Sequence, residues 1–66
     1  MILVNQFKKV VWRKGITVAD VLAELGWDYV LITTTVNGEF VPTGEYSSFQ
    51  VPDEADMRAI HIAHGG

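Results

Sequence analysis

Residues 17 to 26 (Thr-Val-Ala-Asp-Val-Leu-Ala-Glu-Leu-Gly) carry the clearest helical pattern in the chain, and that pattern constrains what can surround it. Val18, Val21, Leu22 and Leu25 recur on one helical face. Thr17 is placed to accept a hydrogen bond from a free backbone N–H. Asp20 follows three residues later, a variant of the capping box with Asp in place of Glu or Gln. Gly26 suits a left-handed C-cap. With 66 residues there is one domain at most, so this helix must cover one face of a small sheet.

The flanking segments supply the strands. Residues 1 to 7 and 10 to 14 read as two extended runs joined by a hairpin at Lys8 and Lys9, and Gly15 breaks the second run. Residues 29 to 36 are strongly β-branched and read as a strand, with Val30, Ile32, Thr34 and Val36 toward the core. Trp27 and Tyr29 are expected to cover one end of that core. Asn37 and Gly38 both tolerate positive φ and predict a hairpin turn into Glu39, Phe40 and Val41, which Pro42 ends. Residues 43 to 56 read as an irregular crossing with a short helical turn, anchored by Tyr46, Phe49 and Val51. Pro52, Asp53 and Glu54 make a turn. Residues 57 to 63 form the last strand. Met57 and Ala59 share one of its faces and Ile60 and Ile62 the other, so either both faces are partly covered or a bulge intervenes. The order β-β-α-β-β-crossing-β predicts an α+β chain with the last strand central and paired with the first. That is the β-grasp, or ubiquitin-like, arrangement: one domain over residues 1–66, with four to five strands on one main helix.

The chain has no cysteine, which excludes disulfides, zinc-thiolate sites and a cysteine nucleophile, and fits a reducing, cytoplasmic setting. A 48% hydrophobic content suits a compact core rather than disorder. The net charge of −3 argues against a broad nucleic-acid surface. Four basic residues cluster, Lys8, Lys9, Arg13 and Lys14, either as a solvated hairpin tip or as a contact for an acidic partner. Glu45, Asp53, Glu54 and Asp56 stand between an ordinary rim and a contact for a basic one. The start, Met-Ile-Leu-Val-Asn, lacks the features of a signal peptide, and no apolar run approaches the ~20 residues of a membrane span.

The sequence closes on His61, Ile62, Ala63, His64, Gly65 and Gly66. Two glycines after an apolar run make a thin, pliable tail whose last carbonyl carbon is unhindered, fit to enter another protein's narrow channel. The alternative is a glycine-rich terminus with no role. His61 and His64 are oddly spaced and fall on opposite sides of an extended chain, so no metal site is expected. No carboxylate pair, phosphate-binding glycine loop or Ser-His-Asp pattern supports catalysis by the chain itself. His64 is a candidate for recognition of the tail, against the reading of a solvated histidine.

Taken together, several segments resemble the ThiS/MoaD sulfur-carrier family, most of all its members that serve the thiazole of thiamine. They are the Met-Ile-Leu-Val-Asn start, Thr17 to Gly26, Val36-Asn-Gly-Glu-Phe-Val-Pro42, Gly44-Glu45-Tyr46 and Gly65-Gly66. Two places depart from the family pattern. Asp53-Glu54-Ala55-Asp56 replaces the usual Asp-Gly-Asp, and His64 stands where a small or apolar residue is common.

The resemblance implies a protein substrate rather than an enzyme. A ThiF/MoeB-like, E1-like adenylyltransferase using ATP and magnesium would adenylate the carboxylate of Gly66. Persulfide sulfur would then displace AMP to leave a thiocarboxylate. A ThiG-like thiazole synthase, or another acceptor enzyme, would take the sulfur. The carrier itself binds no cofactor. Gly65 and His64 would be read with the tail, four extended residues of which reach about 13 Å. Docking is expected on the sheet face that the helix leaves open, through Leu31, Ile62 and either Ile60 or Met57. Three rival readings remain: a carrier for molybdopterin, cysteine or homocysteine; a ubiquitin-like modifier; and a plain binding module.

Overall fold

The structure, a computed structural model, describes residues 1 to 27 and 32 to 61. Strand β1 (Ile2–Val4) turns into β2 (Lys8–Val10), helix α1 (Val18–Leu25) follows, and β3 (Ile32–Val36) turns into β4 (Glu39–Val41). A 3-10 turn at Thr43–Glu45 begins the crossing to β5 (Asp56–His61). The sheet order is β2-β1-β5-β3-β4. Strand β5 is central, parallel to β1 and antiparallel to β3.

The helix forms as its sequence dictates. Thr17 and Asp20 complete a reciprocal capping box: the Asp20 N–H donates to Thr17 Oγ1 at 3.2 Å, and the Thr17 N–H donates to Asp20 Oδ2 at 3.0 Å. The other free N–H groups of the first turn go to the crossing segment. Val18 donates to the Phe49 carbonyl at 3.1 Å and Ala19 to the Tyr46 carbonyl at 2.8 Å. At the far end Gly26 adopts φ +72°, and Trp27 donates to the Leu22 carbonyl while Gly26 donates to that of Ala23, a Schellman closure.

One core lies between helix and sheet. Ile2, Val4, Val10, Ile32, Val36, Val41, Met57 and Ala59 reach it from the strands, and Val18, Val21 and Leu22 from the helix. Tyr46 and Val51 are buried as anchors of the crossing, with Phe49 packed against the core from its rim. Leu25 and Trp27 also pack there, half-buried. Tyr29 and Val30 lie outside the described residues.

Two expectations are corrected. The first hairpin does not turn at Lys8 and Lys9, which lie in β2. It turns at Asn5 and Gln6, both left-handed (φ +54° and +66°), and the Phe7 N–H closes it on the Val4 carbonyl at 3.2 Å. Arg13 is not at a hairpin tip either. It reaches the helix, with Nη1 2.9 Å from Glu24 Oε2 and Nη2 4.0 Å from Asp20 Oδ2. In β5 the described register runs unbroken, from Met57 opposite Val36 to His61 opposite Ile32, with no bulge. Alternation is regular there: Met57 and Ala59 face the helix, while Arg58 and Ile60 are exposed.

Candidate functional site

Strand β5 leads directly to the glycine-bearing segment, and two asparagines from other elements hold it. Both adopt left-handed backbone angles, a conformation Asn tolerates better than most residues. At its start, Asn37 Oδ1 accepts from the Asp56 N–H at 2.8 Å, and the Asn37 N–H donates to the Asp56 carbonyl at 2.8 Å. Past its midpoint, Asn5 Nδ2 donates to the Ala59 carbonyl at 2.9 Å, and Asn5 Oδ1 accepts from the Ala59 N–H at 2.8 Å. Because β1 runs parallel to β5, the Asn5–Phe7 turn lies at the end of β5 from which the sequence continues to Gly66.

Charge is distributed along the same axis. Asp53 and Glu54 precede β5 and grip the Met1 ammonium at 2.9 and 3.1 Å. Their hydrogen bonds raise the ammonium above its ordinary pKa, Asp53 contributing most, and the ammonium lowers that of Asp53. Glu54 sits at φ +60° in the stretch where the resembled family usually has Asp-Gly-Asp, with Asp53 Oδ1 accepting from its N–H at 2.9 Å. These acids therefore contact the chain's own first residue at the start of β5. Exposed Phe7 and Lys8 stand at the opposite end.

The sheet face away from the helix is thinly apolar. Ile60 is 64% exposed and Phe40 60% exposed. Thr33 pairs with Ile60, and Thr35 pairs with both Arg58 and Phe40, so a threonine pair separates the two apolar side chains. Between the alternatives Ile60 and Met57, only Ile60 is on this face. Met57 is fully buried against the helix, because one residue of register separates the two sides of a strand, and it is not available for docking. Leu31, Ile62, His64, Gly65 and Gly66 lie outside the described residues. Phe40 escapes a reading of the sequence centred on the last strand. The signal for it is parity: if Val41 is buried, its neighbour points away.

The sequence matches no family model and no curated protein. The structure is similar to the crystal structure of the thiamine biosynthesis protein ThiS from Geobacter metallireducens. The TM-score is 0.77 at 21% sequence identity, over 98% of this chain and 97% of that one. The chain has the β-grasp fold of ThiS. The five strands and single helix described above fit that ThiS fold across nearly the whole length of both chains. None of the helices among the described residues is long and apolar enough to cross a membrane.

Proposed function

We propose that this chain is a sulfur carrier of the ThiS/MoaD family, a protein substrate rather than an enzyme, and that it serves formation of the thiazole of thiamine. The observation that carries this reading is full-length likeness to a ThiS structure in a chain whose central strand leads into Gly65-Gly66. An E1-like partner binds ATP and magnesium and joins the Gly66 carboxylate to AMP, releasing pyrophosphate. A persulfide sulfur attacks the carbonyl carbon and AMP leaves. A thiol then cleaves the resulting acyl disulfide to give the thiocarboxylate. The chain has no cysteine, so both sulfur nucleophiles come from partners, and the carrier holds sulfur only at its glycine. Glycine suits this chemistry because it places no side chain beside the reacting carbon.

The test is ATP–pyrophosphate exchange with an E1-like adenylyltransferase, followed by intact mass after sulfur transfer. The parent is expected to support exchange and to gain a thiocarboxylate. Deleting Gly66 is expected to abolish exchange and leave the denaturation midpoint unchanged. Normal adenylation of the shortened chain would show that Gly66 is not the reactive group. A ladder of lysine conjugates in place of a thiocarboxylate would favour a ubiquitin-like modifier instead.

A further inference from the structure

The carrier reading makes the root of the tail, the last described residues of β5, functionally important, and on the β1 side one side chain bonds the strand near that root. Backbone pairing between β1 and β5 stops early. Leu3 donates to the Ala55 carbonyl at 3.0 Å and Asn5 to the Met57 carbonyl at 2.8 Å. The next bond of a parallel ladder would join the Ala59 N–H to the backbone carbonyl of Asn5. The left-handed backbone at Asn5 and Gln6 instead turns the chain away into the hairpin. The Asn5 carboxamide takes over both roles, accepting from the Ala59 N–H at 2.8 Å and donating to the Ala59 carbonyl at 2.9 Å. An amide side chain thus imitates one further residue of strand.

We propose that Asn5 is a positioning residue for the reactive tail. It holds β5 on its β1 side at Ala59, two residues before the strand's last described residue, and so steadies the root from which the sequence continues to Gly66. This rests on the carrier function proposed above. A tail that starts from a fixed root spends more of its time aligned with a partner's active site. Misplacement of a reacting group by 1 Å can cost about 100-fold in rate. Removing the Asn5 carboxamide frees the root without touching Gly65, Gly66 or the exposed face around Phe40.

The structure contains its own control. Asn37 makes a similar side-chain bond to β5, at Asp56, the end remote from the tail, and is also left-handed. Glycine at either position keeps the backbone angle and deletes the carboxamide. Asn5→Gly is expected to lower the kcat of adenylation about 10- to 100-fold with KM nearly unchanged. It should also reduce the backbone NMR order parameters of Ile60 and His61. Asn37→Gly is expected to leave both readouts near those of the parent, whatever it does to the unfolding midpoint. Asn5→Asp retains an acceptor for the Ala59 N–H but loses the donor, and should fall between parent and Asn5→Gly. Equal kcat in Asn5→Gly and Asn37→Gly would overturn the proposal. Should the parent not be adenylated at all, the carrier reading fails separately. The order parameters then decide: unchanged values in Asn5→Gly overturn the positioning role.

Discussion

The hydroxyl of Tyr46 donates to the backbone carbonyl of Ile32 at 2.8 Å, in a buried position. It ties the irregular crossing, which also supplies carbonyls to the helix N-terminus, to the first described residue of β3. One ring therefore joins crossing, helix and sheet at the core. Tyr46→Phe keeps the ring and removes this bond. The expected loss is about 1 to 2 kcal/mol, the range for a buried hydrogen bond whose partner is left behind. Urea denaturation followed by tryptophan fluorescence measures it, and an unchanged midpoint would show that the hydroxyl contributes nothing.

Thr34 offers the opposite case. It is completely buried on the helix-facing side of β3, across from Val41 and Ala59, and its Oγ1 has no hydrogen-bond partner among the described residues. A hydroxyl buried in this way costs roughly 1 to 3 kcal/mol. Thr34→Val preserves shape and β-branching, and is expected to stabilise the fold by about 1 kcal/mol. A lower thermal midpoint would mean that the hydroxyl is in fact satisfied.

Acid sensitivity is expected at the helix start. The Thr17 N–H, then the Thr17 hydroxyl, then the Arg13 guanidinium hold the Asp20 carboxyl below its ordinary value of 3.8. A carboxyl with a depressed folded pKa adds stability that is complete above the unfolded pKa and is lost as pH falls through the folded one. Asp20→Asn should therefore be less stable than the parent at neutral pH. The gap should narrow steadily below pH 3.8. Denaturation midpoints across an acid series check this, and a constant gap would contradict it.

Docking and chemistry should separate on different residues. Ile60→Asp places a charge on the open face and is expected to weaken binding to an adenylating partner about tenfold. Rates at saturating carrier should remain close to the parent's. Gly65→Val restricts φ beside the reacting carbonyl and should do the reverse, slowing adenylation with little change in affinity. Calorimetry with exchange kinetics distinguishes them. Two variants with the same profile would contradict a division between body and tail.

The sequence reveals the helix, its two caps and the Asn37-Gly38 turn because each is decided by neighbours within a few residues. Tyr46 and Val51 are legible as anchors because large apolar residues in a crossing have nowhere else to go. The first hairpin is harder. A Lys-Lys step resembles a turn, yet lysines also suit an edge strand such as β2, where they discourage pairing with another chain. Gln6 gives no sign of its left-handed backbone, since only its neighbour Asn5 is a usual occupant of that region. The choice between Met57 and Ile60 depends on strand parity, which an apolar residue on each face obscures. The bond from Asn5 to Ala59 spans 54 positions and leaves no local trace at all.

The place of β5 in the sheet has a consequence for biosynthesis. This strand is the last of the described strands in sequence yet sits between β1 and β3, so neither half of the sheet can join the other until residues 56 to 61 have left the ribosome. A nascent chain can form its helix and two separate hairpins, but their inner edges stay unpaired in the meantime. The sheet is completed only once residues 56 to 61 are free to pair, in a late step that depends on contacts between residues far apart in the sequence. A ribosome stalled before residue 56 would hold an open, sticky precursor rather than a small folded protein.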